Sequence, residues 1–207
     1  MQKLKLSYFD FNGGRGECVR MALALGNIPF EDDRITMERW PQIKAEQPYG
    51  ALPVLYVDGV PLAQTNAICR YVGKLADLYP TDPLQAAFCD EVLDTLEELN
   101  QQLGATMGLL PEEKKTKRQH LANQTLPIYL KGLNRRLLAG GGQYFANQKL
   151  TVADLRACDV IQWLSSGMLD DIPTQLTQTV APQLMEHCER IQREPRVVGY
   201  LAKRRKI

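Results

Sequence analysis

At Tyr79-Pro80-Thr81-Asp82-Pro83 the hydrophobic period of the chain changes for good. Two prolines stop any helix arriving from the N-terminal side, and Asp82 stands where it can cap the next one. Beyond this point apolar residues recur at helical spacing. Phe88, Val92, Leu96, Leu99 and Leu103 mark one helix over residues 84–107, and a second long pattern over residues 112–138 carries a bend at Pro127. Before it, strand and helix patterns alternate. An α/β half followed by an all-α half reads as two domains: residues 1–78 and 84–207, with 79–83 as the linker. A chain of 207 residues is long enough to bury a core in each.

In the first half, residues 3–8 alternate polar and apolar and read as a strand. Residues 9–16 form a loop with three glycines. A helix over residues 17–25 follows, with Val19, Met21, Ala22 and Leu25 on one broad side and Gly26 as its stop. Residues 30–35 are the return strand of a β-α-β unit. Pro41 limits residues 36–47 to short turns. Residues 54–56 and 60–62 then flank Asp58-Gly59, the strongest short-range hairpin signal. Pro53 opens the first of these strands, and a cis Leu52–Pro53 bond suits the bend. A helix begins at Gln64-Thr65-Asn66, with Thr65 or Asn66 as its cap. A strand edge beside a helix N-terminus offers a peptide-like ligand both main-chain pairing and a carboxylate pocket.

In the second half Gly140-Gly141-Gly142 is a loop. Thr151 and Asp154 form a variant capping box, aspartate replacing the usual Glu or Gln, and open a helix whose Ala157, Val160, Ile161 and Leu164 should be buried. Residues 180–193 and 196–202 read as the last helices.

The formal charge of +1 argues against a nucleic-acid or membrane-surface binder. No apolar run is long enough to span a bilayer, and residues 1–9 lack a signal-peptide pattern. The five cysteines are scattered and never in a C-x-x-C arrangement, which reads as a reduced cytoplasmic protein. Two histidines, far apart and away from any cysteine pair, give no metal site. Cys18 reads as a buried, apolar-like thiol inside its helix. Lys203-Arg204-Arg205-Lys206 reads as a frayed basic end rather than a targeting patch.

The segment over residues 48–70, with its Leu52-Pro53, Asp58-Gly59 hairpin and Gln64-Thr65, resembles the glutathione-binding segment of the cytosolic glutathione S-transferases. Tyr8-Phe9 with Arg15 resembles the family's opening motif with one extra loop residue. Trp40-Pro41-Gln42-Ile43-Lys44 resembles the W-P-x-x-K of the sigma class, and residues 48–53 also resemble the pi class. The resemblance spans nearly the whole chain. It implies a thioredoxin-like α/β first domain and an all-helical second one, with glutathione as co-substrate and no metal.

The activity it implies is conjugation of the glutathione thiolate to small electrophiles. A glutathione-dependent isomerase or peroxidase of the prostaglandin D synthase kind, or a non-catalytic crystallin-like protein, is the alternative. Tyr8 is then the donor to the thiolate, with Arg15 in support. A free thiol of pKa about 8.5 is only roughly 3% ionised at pH 7, so a hydrogen bond to its charged form raises the nucleophile's population. Trp40 and Lys44 hold the glycyl end, Leu52 and Pro53 the cysteinyl backbone, and Gln64 and Thr65 the glutamyl carboxylate. Glu98 reaches the glutamyl ammonium across a homodimer anchored by Tyr49. Phe9, Gly104, Met107 and Arg156 contact the electrophile, Arg156 by projecting from one turn into its capped helix.

Overall fold

The alternation in residues 3–8 is realised as β1 (Leu4–Phe9), the central partner of a four-stranded sheet in the order β2-β1-β3-β4. β2 (Glu31–Ile35) lies parallel to β1, with Leu6 opposite Asp32. β3 (Val54–Val57) and β4 (Val60–Ala63) are antiparallel to their neighbours. Asp58 and Gly59 join them with φ of 50° and 86°, the two positive values of a type I′ turn, whose twist matches that of the strands. Pro61 sits on the edge strand β4, where its missing N–H costs no ladder bond on the open side. The computed structural model describes residues 2–204.

Helix α1 (Glu17–Leu25) connects β1 to β2 and packs on α3 (Thr65–Leu75). Val19, Ala22, Leu23, Ile68, Cys69 and Val72 have essentially no exposed surface and form the core of this unit with Leu6, Val54 and Leu55. Residues 36–47 contain the one-turn helix α2 (Trp40–Ile43) and a 3₁₀ turn at Lys44–Glu46. The Leu52–Pro53 bond is cis.

The second unit, Pro80–Glu194, is built from helices. They are α4 (Pro83–Gly104), α5 (Pro111–His120), α6 (Leu126–Ala139), α7 (Val152–Ser165), α8 (Leu176–Val180) and α9 (Pro182–Gln192). Asp82 does cap α4, accepting the Gln85 N–H at 2.9 Å. The bend expected at Pro127 is a π turn over Leu121–Thr125. Proline has no N–H for the carbonyl four residues back, so the backbone widens just before it. The helix expected over residues 180–193 is two pieces, because Pro182 restarts the chain at N1 after Ala181 leaves the helical region at φ −149°. Helix α7 is central, packed on α4 and α9. Its Ala157, Val160, Ile161 and Leu164 are buried as the capping box implied.

The last helix, α10 (Pro195–Lys203), belongs to the first unit and packs on α1. The sequence boundary at 84–207 had grouped it with the helices. Arg204, expected in a frayed tail, donates to Glu17 at 3.2 Å, and Arg205-Lys206 lie outside the described residues. All five cysteines are buried thiols, Cys18 among them. Among the described residues no helix is long and apolar enough to cross a membrane.

Candidate active site

Tyr8 is 5% exposed, near the C-terminal end of β1. Its hydroxyl accepts the Arg15 N–H at 3.0 Å. That contact needs a loop that folds tightly over the ring. A Cβ on Gly14, where φ is 69°, would lie 2.6 Å from the Tyr8 hydroxyl, and one on Gly16 would overlap the ring itself. Glycine is required at Gly14 by both space and backbone. It is the Arg15 backbone N–H that meets the phenol oxygen in this loop. A phenol whose oxygen accepts a hydrogen bond also carries one O–H donor.

Aromatic rings surround the phenol. Phe9 and Phe11 meet Tyr8 edge-on, each at 5.5 Å between centroids, and stack on each other at 6.1 Å. Trp40 meets Phe9 edge-on at 5.4 Å, so the start of α2 stands at the end of β1. The turn bearing Lys44 is tied to the sheet through Gln47, which accepts from the Tyr56 hydroxyl at 3.2 Å and donates its N–H to the Lys44 carbonyl. Lys44 is exposed and Trp40 half-buried.

The cap expected at Thr65 or Asn66 falls on Gln64. Its φ of 73° and ψ of 116° lie outside the common regions, and no side chain caps α3. Such a conformation costs about 1–3 kcal/mol in a residue with a side chain. Thr65, buried, begins the helix; Gln64 is exposed, Leu52 half-buried and Pro53 buried. The result is an open helix N-terminus beside the start of β3, with the polar side chain of Gln64 on its rim. Backbone N–H groups and the helix dipole there attract a carboxylate.

The residues of the second unit sit differently. Glu98 is exposed and accepts from the Tyr129 hydroxyl at 3.0 Å, and that contact raises the Tyr129 phenol above its ordinary range. Gly104 is exposed. Met107 is 50% exposed, with its sulfur 3.3 Å from Arg118 Nη2. Arg156 requires a correction. It has no exposed surface, and its Nη1 is 2.9 Å from Asp159 Oδ2 with Glu97 3.8 Å from Nη2. One turn into α7 the helix is surrounded on all sides, so the guanidinium is turned onto the neighbouring acids and presents no charge to a ligand.

Sequence reasoning missed Arg20. Buried at 1%, it donates to the Phe11 carbonyl at 2.9 Å and the Phe9 carbonyl at 3.3 Å, and pairs with Asp32 at 2.9 Å. Its guanidinium lies 5.5 Å from the Tyr8 ring centroid. The available signal was a cation inside an otherwise apolar stretch of α1, a place where charges are rare unless paired.

Residues 4–74 match the model of the glutathione S-transferase N-terminal domain, and residues 97–204 that of the glutathione S-transferase C-terminal domain. Glutathione S-transferase 1 of Ascaris suum is 31% identical, covering 100% of this chain and 98% of its own. The structure of prostaglandin synthase D of Nilaparvata lugens superposes with a TM-score of 0.86 at 31% identity, covering 99% of this chain and 100% of its own. A sigma class enzyme of Fasciola hepatica superposes at 0.83 with 26% identity, covering 100% and 98%. With both halves matched and full-length relatives above 30% identity, the chain belongs to the glutathione S-transferase family.

Proposed function

We propose that this transferase holds glutathione along the first unit and delivers its thiolate to small electrophiles, as a cytosolic homodimer of sigma-class type. The observation that carries the reading is the Tyr8 hydroxyl, aimed by the Arg15 N–H within a loop that only glycine can build. Donation from the phenol to sulfur favours the charged form of the thiol and lowers its pKa. Trp40 and Lys44 serve the glycyl carboxylate, the former as an indole donor and the latter as a cation. Leu52 and Pro53 present backbone to the cysteinyl unit, and the Gln64-Thr65 corner takes the glutamyl carboxylate at the α3 N-terminus. The strain at Gln64 supports that role, because such backbone persists where the surroundings and the function demand it.

The test is Tyr8→Phe. Its glutathione affinity should stay within about twofold of wild type while conjugation of a chloronitrobenzene falls roughly 10- to 100-fold. The ultraviolet titration of the bound thiolate should move to higher pH. Wild-type turnover and thiolate titration in the variant would refute the role.

The dimer rests on two complementary features. Tyr49 is 71% exposed on the loop before β3. A hollow of about 470 Å³ opens between α4 and α6, lined by Val92, Thr95, Ile128, Tyr129 and Leu133, with Ile128 69% exposed. The ring of Tyr49 from a second copy fits such a hollow as a buried aromatic anchor. Tyr49→Ala should raise the dimer dissociation constant at least roughly 10-fold in sedimentation. A wild type that sediments as a monomer at micromolar concentration would remove the dimer.

A relative named for prostaglandin synthesis keeps the isomerase alternative in play. The segment Leu103-Gly104-Ala105-Thr106-Met107 carries no aromatic ring to stack on a long apolar substrate. Conjugation of small electrophiles is therefore the favoured activity, and efficient prostaglandin D₂ formation would reverse that preference.

A further inference from the structure

Glu17 opens α1 and is 2% exposed, yet it is a carboxylate. A charge at that depth persists only with donors around it. Its two oxygens face different parts of the chain. Oε2 accepts the Gly13 N–H at 3.0 Å and lies 3.7 Å from Arg20 Nη1. Oε1 accepts the Tyr200 hydroxyl at 2.9 Å and Arg204 Nη1 at 3.2 Å, both from α10 and the residue that follows it. Burial, and then the Glu17 charge, push the Tyr200 phenol upward, so it stays a donor. Gly13 holds φ of 95°, a backbone open to glycine, and two residues later Arg15 donates to Tyr8.

We propose that Tyr200 and Arg204 are positioning residues for conjugation: through Glu17 they hold the loop at Gly13–Arg15 in the shape that aims the Arg15 N–H at the Tyr8 hydroxyl. The inference rests on the role given to Tyr8 above. It assigns to the last helix a part in setting the thiolate rather than mere cover for α1. A loop with three glycines has many conformations to lose, and a buried carboxylate bonded on one side to the loop and on the other to a helix removes that freedom. Without the α10 donors nothing holds Glu17 Oε1, and the side chain turns toward Arg20 or water, releasing the Gly13 N–H.

The experiment uses the full chain with Tyr200→Phe, which keeps the ring, with Arg204→Ala, and with both. The readouts are the pH profile of kcat, the KM for glutathione, and amide exchange at Gly13 and Arg15. In the double variant kcat at neutral pH should fall roughly 3- to 10-fold, the acid limb should move up by roughly half to one pH unit, and KM should stay within about twofold. The two amides should exchange faster. Arg204→Ala alone, at a side chain 37% exposed, should fold normally and move the profile the same way by less. An unmoved acid limb in the folded variants overturns the positioning role, even where Tm falls. If Tyr8→Phe itself matches wild type, the reading of Tyr8 fails and this inference with it. A responsive Tyr8→Phe beside an unresponsive double variant overturns the positioning role alone.

Discussion

Helices α3 and α7 both have threonine at their start, and the two beginnings are built in opposite ways. At α7 Thr151 and Asp154 form a capping box. Asp154 accepts the Thr151 N–H and the Thr151 hydroxyl, each at 2.7 Å, and the Phe145 N–H at 3.0 Å, with no exposed surface left. At α3 the cap position is Gln64 at a strained φ, with no side-chain cap, and Thr65 follows. One terminus is capped by its own side chains; the other has no side-chain cap. A helix end completed by its own sequence holds the fold together, and one left uncapped beside a strained backbone is the kind of end the proposed glutathione corner uses.

The strongest way to break the contrast is Asp154→Ala. It leaves the Thr151 and Phe145 amides buried without their acceptor, and should cost about 3 kcal/mol or more in urea unfolding. A loss below about 1 kcal/mol would mean the box contributes little.

A matched pair sharpens the comparison. Thr151→Val should cost about 1–2 kcal/mol of stability. Thr65→Val, the same change at the open end, should alter stability by less than about 0.5 kcal/mol while weakening glutathione binding roughly 10-fold. Calorimetry and denaturation on both variants give the answer, and equal stability losses would erase the distinction.

Gln64→Gly probes the strain directly. Relief of the positive φ should raise stability by about 1 kcal/mol while glutathione affinity falls, so that Tm and Kd rise together. A fall in Tm would place no strain at this corner.

The smallest effect is on pH dependence. Burial pushes the Asp154 carboxyl from 3.8 up to about 7, against the hydrogen bonds that favour its charge. Burial, with Arg190 alongside, pulls His187, 3.3 Å from Asp154, from 6.5 down to about 4. The raised group loses stability as pH rises from about 3.8 to 7. The depressed group loses it as pH falls from about 6.5 to 4. The two slopes oppose each other across that window, so the wild type should be nearly flat there as far as this pair is concerned. Asp154→Asn should gain stability from pH 4 to 6.5, and His187→Gln should lose it over the same range. Parallel curves for the two variants would contradict the opposed shifts.

Features governed by neighbours in the chain were readable in advance. The Asp58-Gly59 turn, the Asp82 cap, the Thr151–Asp154 box and the buried stripe of α7 all follow from spacing within a few residues. The resemblance then gave Tyr8, Trp40 and Gln64-Thr65 an expected common purpose that spacing alone did not supply. Less legible were side chains whose partners lie far away in sequence. Arg156 looked like a ligand contact because its position on a helix was visible and its enclosure was not. Arg20 looked incidental because the carbonyls it binds belong to a loop whose shape no local pattern specifies.

The sequence by itself determined the two-part architecture, the hairpin, the helix punctuation and the residue types available for a thiol-activating site, since these depend on backbone preference and hydrophobic period over short spans. Only the tertiary structure decided which buried charges face which partners, that the cap of α3 falls on a strained Gln64, and that the final helix returns to the first unit to meet Glu17 across 183 residues. Those choices are made by the need of each buried polar group to find a donor or acceptor in a packed interior, and that need is met by whatever the fold brings near.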